Sequence, residues 1–221
     1  ALRDENVGVR TIAATLIGKA SFKNLTAAVR PLLNDSSPYV QASAIFALAK
    51  CGVEVDQTPL GRILMTDPSP RVRSHVAVLL GDLGDRSALG LLNDASRQAI
   101  PRASAVEIRM MQIQIAEAMV KIGDEDQLGA TPPAPSPSRP EDLEITALAV
   151  QVLGQLRDRG STDELIYLSA RRDEAKQYWP AEIRLGVAGA LARIGLNKGT
   201  FLADDYAPSD MPVLRAQAAY V

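Results

Sequence analysis

The sequence predicts an all-α fold, a right-handed α-α superhelix (solenoid) of about six helical hairpins. The chain is 47% hydrophobic but only 4% aromatic. Its apolar residues are largely Ala, Leu, Val and Ile, which suit close helix–helix packing better than a β-sandwich. One amphipathic pattern also recurs along the chain at intervals of roughly 31 to 39 residues, the range typical of helical-hairpin repeats.

The clearest copy of this pattern, DPSPRVRSHVAVLLGDLG at 67–84, predicts a turn, a helix and a stop. We expect Asp67 to cap the helix and Pro68 to occupy its first turn, where a missing N–H costs nothing. We expect Gly81 and Gly84 to weaken the end of the helix and let the chain turn. Five apolar residues recur at helical spacing and form one stripe: Val72, Val76, Leu79, Leu80 and Leu83.

Further copies of the pattern predict the second helix of each other hairpin. They lie at 4–18, 35–52, 106–123, 141–156, 181–195 and 209–221. The intervals between copies predict the first helices, at 23–34, 58–66, 87–95 and 163–172. A single hairpin cannot bury its apolar stripe, so the hairpins must stack to form a continuous core.

Two insertions interrupt the repeats. Residues 94–105 lengthen the connection inside the fourth hairpin, and residues 129–140, GATPPAPSPSRP, are too rich in proline to be helical. We interpret the second insertion as an exposed, solvated connector rather than a docking peptide. Residues 1–221 are expected to form a single array around it. Because the chain starts within what looks like a repeat, we expect it to be part of a longer protein.

The string Asp-x4-Val-Arg-x2-Ala-Ala-x2-Leu-Gly resembles the second-helix signature of HEAT repeats, in the variant of phycobilisome lyase-like HEAT proteins. Copies 4–18 and 67–84 are nearest to it. The resemblance implies a scaffold that binds other molecules. It also implies a ladder of turn acids and second-helix arginines between neighbouring repeats: Asp4, Asp35, Asp67, Arg10, Arg73, Arg184 and Arg215. The alternative is that the arginine column lines a groove and binds an acidic partner.

The residues give no catalytic, cofactor or metal site, and we predict that the protein is not an enzyme. The chain has one histidine, His75, and one cysteine, Cys51, too few for the usual zinc sites or for the His-Glu pairs of a di-iron centre. His75 is expected to be at the surface or half-buried, and Cys51 to be a packed thiol. Neither a nucleophile elbow nor a phosphate-binding glycine loop occurs.

Composition also bears on partners. Lys+Arg 24 against Asp+Glu 26 gives a net charge of −2, which does not favour nucleic-acid binding of the kind seen in HEAT-like DNA glycosylases. No apolar run is long enough to cross a bilayer. The leading hypothesis is therefore a non-enzymatic scaffold that binds a protein partner without a cofactor. The alternative is a bilin-lyase-like or enzyme-regulatory accessory protein.

The second-helix residues that face away from the first helices are expected to line a concave binding wall. For Phe46 and Val78 the sequence leaves two interpretations open, packing between repeats or a hydrophobic patch for a partner. By helical phase, the candidate binding residues are Phe46, His75, Val78, Gln114, Glu117, Gln151 and Arg193.

Overall fold

The computed structural model describes residues 1–123, 140–172 and 177–221. Throughout these ranges the ordered elements are helices, apart from one isolated antiparallel bridge between Arg172 and Tyr178. The predicted all-α class is confirmed. The helices group into two compact units, Ala1–Glu125 (unit 1) and Asp126–Val221 (unit 2). That the whole chain forms a single array stays a prediction.

Unit 1 is a stack of helical hairpins. Its second helices pack on one another in chain order, and each first helix packs against the second helix that follows it. The second helices are α1 (Val7–Lys19), α3 (Pro38–Lys50), α5 (Pro70–Leu83) and α7 (Ala105–Ile122). The first helices are α2 (Thr26–Val29), α4 (Thr58–Thr66) and α6 (Leu89–Arg97). Helix α2 is a single turn between the 3-10 segments Lys23–Leu25 and Arg30–Asn34, so the predicted helix over 23–34 is broken.

Unit 2 repeats the arrangement. Its second helices α8 (Pro140–Leu156), α10 (Ala181–Ile194) and α12 (Pro212–Ala218) stack in order, and the first helices α9 (Thr162–Ala170) and α11 (Thr200–Tyr206) pack against α10 and α12. The insertion predicted over 129–140 falls outside the described residues except for Pro140, which begins α8.

The N-cap of α5 differs from the prediction. Ser69, not Asp67, is the N-cap of α5, and Pro70 is its first residue. The Asp67 carboxylate instead accepts a hydrogen bond from the backbone N–H of Ser69 at 2.9 Å. The carboxylates of Asp4 and Asp35 likewise accept a hydrogen bond from the backbone N–H two residues further along the chain. The aspartates therefore shape the turn that leads into the helix, a common role of Asp side chains.

The end of each second helix from α1 to α10 is marked by a residue with positive φ. These residues are Ser21, Gly52, Gly84, Gly123, Arg157 and Gly195. Gly84 has φ of 80° and caps α5, as the sequence predicts. Glycine suits the left-handed conformation because it lacks a Cβ.

Gly81 was predicted to weaken the end of α5, and this explanation is wrong. It is buried inside α5 and lies against Ala118 of α7, so that a Cβ placed on it would come within 2.7 Å of the Ala118 Cα. Gly18 in α1 and Gly154 in α8 approach the next second helix in the same way, at Ala47 and Ala190. These small residues let the second helices come into backbone contact.

Helix α1 packs against one second helix, α3, in the part of the chain that the structure describes. Val9, Ile12 and Leu16 are 38%, 61% and 56% exposed. One repeat later, 31 residues on, the equivalent positions are Val40, Ser43 and Ala47, and α1 covers them. The apolar face of α1 therefore has the chemistry of a helix–helix contact.

Gly81→Ala is expected to lower the free energy of unfolding by roughly 1–3 kcal/mol, because the added methyl group overlaps backbone atoms that cannot move aside. Gly90→Ala is the matched control: Gly90 is exposed in α6 with nothing within 4 Å of the added carbon. The control is expected to gain about 0.5–1 kcal/mol from helix propensity. Urea denaturation followed by circular dichroism measures both, and equal effects of the two changes would contradict the close contact.

Candidate binding surface

In each unit we call the side of the second helices that faces away from the first helices the inner wall. The predicted arginines of the ladder lie in the first turns of these helices, and among the described residues one rung of the ladder forms. Arg10 donates two hydrogen bonds to Asp35 of the next repeat, from Nε at 2.8 Å and Nη2 at 3.0 Å. Both side chains are largely buried. The pKa of Asp35 is held below its usual value, chiefly by the hydrogen bond from Arg10. This two-pronged pair ties α1 to the turn before α3.

The other column residues make a different contact. Gln41, Arg73 and Arg215 each donate to the backbone carbonyl six residues earlier, at 2.6 to 2.7 Å. Arg10 makes the same contact with Asp4. Arg73 reaches the next repeat through the Gln98 amide instead of a carboxylate. The column therefore mainly closes the turn of its own repeat, and the predicted ladder is wrong beyond its first rung.

Arg184 departs from both patterns. Its guanidinium lies over the ring of Tyr178 at 4.5 Å and donates to the hydroxyl of Tyr206. Arg172 lies 4.2 Å from the same Tyr178 ring. Aromatic rings thus take the place of carboxylates here, an arrangement that planar guanidinium groups favour.

Phe46 is fully buried and contacts Gly18 of α1, where the missing side chain makes room for its ring. Of the two interpretations that the sequence left open, the structure therefore gives packing between repeats. Phe46 is not available to a partner.

His75 takes part in a polar chain that crosses three second helices. Thr15 of α1 donates to the Ser43 hydroxyl at 3.0 Å, and Ser43 lies 2.8 Å from Nε2 of His75 in α5. Burial lowers the pKa of His75 to about 4; a hydrogen bond with the backbone of Tyr39 opposes the shift, and the charge of Lys19 adds to it. The imidazole is therefore neutral at physiological pH and shares a hydrogen bond with the Ser43 hydroxyl. Because Ser43 is fully buried, the chain is placed to join helices rather than to attack a substrate.

Asp82 is the centre of a charge cluster on the same wall. Its carboxylate pairs with Lys19 at 3.1 Å and Lys121 at 2.9 Å, and its carbonyl accepts from Lys50. Lys121 also pairs with the buried Glu117 at 2.7 Å. Burial acts to raise the pKa of Asp82, but the two ammonium groups outweigh it and keep the pKa below its usual value. Glu117, a predicted binding residue, is thus engaged inside the protein.

The inner wall of unit 1 therefore uses most of its predicted binding residues for its own packing. Val78 and Gln114 remain half-buried, partly accessible side chains.

The inner wall of unit 2 is different, because it carries an open groove of about 650 Å³ lined by α8, α10 and α12 with the residues that end the chain. Two of the predicted binding residues, Gln151 and Arg193, lie in its lining. The size falls within the range of ligand sites in proteins. The apolar side chains of the lining are Val150, Ile183, Leu185, Val213 and Val221.

Two glycines of α10 line this groove. A Cβ on Gly186 would lie 3.8 Å from Val150, and one on Gly189 would lie 3.7 Å from Val221, both ordinary contact distances. Backbone packing therefore does not require glycine at either position. Each glycine inside a helix costs about 0.5–1 kcal/mol relative to alanine. Gly186 is exposed and leaves the floor of the groove open, whereas Gly189 lies buried beside it.

Polar groups surround this floor. Gln151 and Gln155 are exposed on one face of α8, and Gln217 stands on α12. Glu182 and Arg193 lie on α10, and Arg193 is positioned by Tyr220, whose ring lies 4.7 Å away and whose hydroxyl accepts its hydrogen bond. The groove combines an apolar centre with a few fixed polar groups, as binding sites commonly do.

Sequence reasoning missed Gly186, Gly189, Gln155 and Gln217. The first two stand three and six residues after Ile183, the same phase that selected the other candidates. The repeat phase therefore marks both positions, but a glycine has no side chain that would indicate a binding role.

Other kinds of site can be compared with the structure. Within the described ranges, no group of three or more His, Cys, Asp or Glu residues is arranged to hold a metal ion. In the same ranges, none of the helices combines the length and apolarity that a bilayer crossing requires. Cys51 is a buried free thiol, as the sequence predicts.

Comparison with known proteins identifies the repeat. Residues 30–109 match the family model for HEAT repeats. This part of the chain is therefore similar to HEAT repeats, as the sequence predicts. No curated protein matches the chain. Among solved structures, human deoxyhypusine hydroxylase in complex with glycerol is similar at 19% identity and a TM-score of 0.33, over 96% of this chain and 95% of that one.

The low pKa of His75 predicts a pH-dependent stability. Between pH 6.5 and 4 the unfolded chain takes up a proton on this residue while the folded chain does not, so stability is lost as the pH falls through this range. The loss approaches roughly 3 kcal/mol at the low end. His75→Gln is expected to flatten the slope in this range.

Because His75 is the only histidine in the sequence, NMR titration of the imidazole signals reports its pKa without ambiguity. A measured pKa of 6.5 or above, or an unchanged slope in His75→Gln, would contradict the burial of a neutral ring.

Proposed function

We propose that the protein is a non-enzymatic scaffold and that the groove in unit 2 holds a segment of a protein partner. The observation that carries the proposal is an apolar groove whose floor is opened at the exposed Gly186, at a cost in helix stability. The similarity to HEAT repeats supports it, since such arrays typically present extended surfaces to proteins.

The contrast between the two inner walls supports the choice of surface. In unit 1, Glu117, Asp82 and His75 are engaged by neighbouring helices. In unit 2, Gln151 and Gln155 are exposed at the edge of an unfilled space. Polar groups that already have hydrogen-bond or ion-pair partners within the protein contribute less to binding than polar groups that face solvent.

The alternative, a bilin-lyase-like or enzyme-regulatory accessory, draws less support from the molecule. The chain is only 4% aromatic, which disfavours a chromophore pocket, and the buried Cys51 offers no thiol at which the chain itself could carry a chromophore. A concave nucleic-acid site built on the arginine column is disfavoured too, because Arg10, Arg73 and Arg215 are used to close turns.

Filling the groove tests the proposal. Gly186→Leu places an isobutyl group over the floor, and the variant is expected to fold at least as stably as the wild type because leucine favours helices. The matched control, Gly90→Leu, places the same group on the exposed surface of α6. Quantitative mass spectrometry of proteins retained on each immobilised chain measures the outcome.

We expect the wild type and Gly90→Leu to retain the same specific partner, and Gly186→Leu to retain at least tenfold less of it. Equal retention by all three proteins, or turnover of a small molecule with no protein retained, would overturn the proposed function.

A further inference from the structure

The groove in unit 2 also has features that select among partners. We propose that it binds a protein segment in extended conformation, about five residues long, with aliphatic side chains at its centre, a basic residue at one end and an acidic residue at the other. This inference rests on the proposed function and names the chemistry of the partner.

The length and the end charges follow from α10. Glu182 and Arg193 are eleven residues apart, which is three helical turns, so they stand on one face about 16 Å apart. An extended chain rises about 3.3 Å per residue and covers that distance in roughly five residues. A cation near Glu182 and an anion near Arg193 would each meet a complementary charge. The contacts of Arg193 with Tyr220 keep this guanidinium in place.

The conformation follows from the amide side chains. Gln151 and Gln155 stand one turn apart on α8, and Gln217 of α12 lines the same groove. A side-chain amide offers two donors and an acceptor, the same groups that an extended backbone presents. A bound helix has already paired its backbone groups internally and has little to offer these amides.

Gln217 gives a second observation on the same point. Its Oε1 is buried, and among the described residues no donor reaches it. A buried acceptor without a donor is destabilising. A partner N–H that the amide can turn towards would relieve this cost, and an extended segment carries such a group at every non-proline residue. The Gln217 carbonyl oxygen is therefore a buried acceptor that a donor from a partner could satisfy.

The aliphatic centre follows from the floor. Val150, Ile183 and Val213 contribute apolar side chains to the lining, and Val150 lies 3.8 Å from a Cβ placed on Gly186. Because side chains alternate along a strand, one face of a five-residue segment would point two or three of them at this floor. Small β-branched residues would fill the depth left by the missing glycine side chains.

Labelled peptides test the inference by fluorescence anisotropy against the full chain. The probes are a glycine-flanked KVAVE peptide, a series in which each backbone nitrogen of this peptide is methylated in turn, and KVAVK. We expect KVAVE to bind, Gly186→Leu to weaken it at least tenfold, and the best-placed N-methyl group to weaken it about tenfold through the lost hydrogen bond. Gly90→Leu is expected to bind like the wild type.

Charge reversal gives an independent readout. The wild type is expected to prefer KVAVE over KVAVK by at least threefold, and Arg193→Glu to reverse this order. Arg62→Glu, an exposed change in α4 of unit 1, should leave the preference unchanged. Circular dichroism confirms that each variant is folded.

The outcomes separate the two proposals. Suppose that Gly186→Leu reduces retention of a protein partner, but neither methylation at any position nor Arg193→Glu changes peptide binding. The extended-segment inference is then wrong and the proposed function stands. If Gly186→Leu changes neither the retention of a partner nor the binding of the peptide, both the proposed function and the extended-segment inference are wrong.

Discussion

Backbone contact between successive second helices is the constraint on which the rest of this structure depends. At Gly18, Gly81 and Gly154 there is no space for a single added carbon. An alanine of the next second helix occupies that space, joined at Gly18 by the ring of Phe46. Close approach of this kind brings the polar side chains of neighbouring helices within reach of one another. The hydrogen bond from Thr15 to Ser43 and the pairing of Lys121 with Asp82 both depend on that spacing.

Small residues serve two opposite purposes in this fold. Where a glycine faces the next second helix, as Gly81 does, it removes space between helices. Where a glycine faces away from the first helices, as Gly186 does, it leaves space at the surface. The same residue type therefore sets both the tightness of the stack and the depth of the groove, and only its phase on the helix distinguishes the two roles.

Phase is also what limited prediction from the sequence. The repeat, the helix positions and the stop at Gly84 follow from periodicity and turn chemistry, and they are found in the structure. An error of one residue in the assigned helical phase is enough to move Phe46 between the core and the surface. Its burial depends on the space beside Gly18. The arginine column was recognised, but sequence spacing does not reveal that a carbonyl six residues earlier would be its usual acceptor. The groove was the hardest feature to predict, because it forms where glycines leave the helix surface without side chains.

The ion pairs of Asp82 carry a mechanical consequence. Asp82 on α5 receives one lysine from α7, its neighbour, and another from α1, which lies beyond α3. The distance from α1 to α5 grows when three stacked helices are straightened, so the Lys19 contact is the first that a flattening of unit 1 would stretch. Lys19 is half exposed and its pair is accessible to salt ions. The stiffness of unit 1 against bending is thereby coupled to ionic strength, through one flexible side chain that spans two repeats.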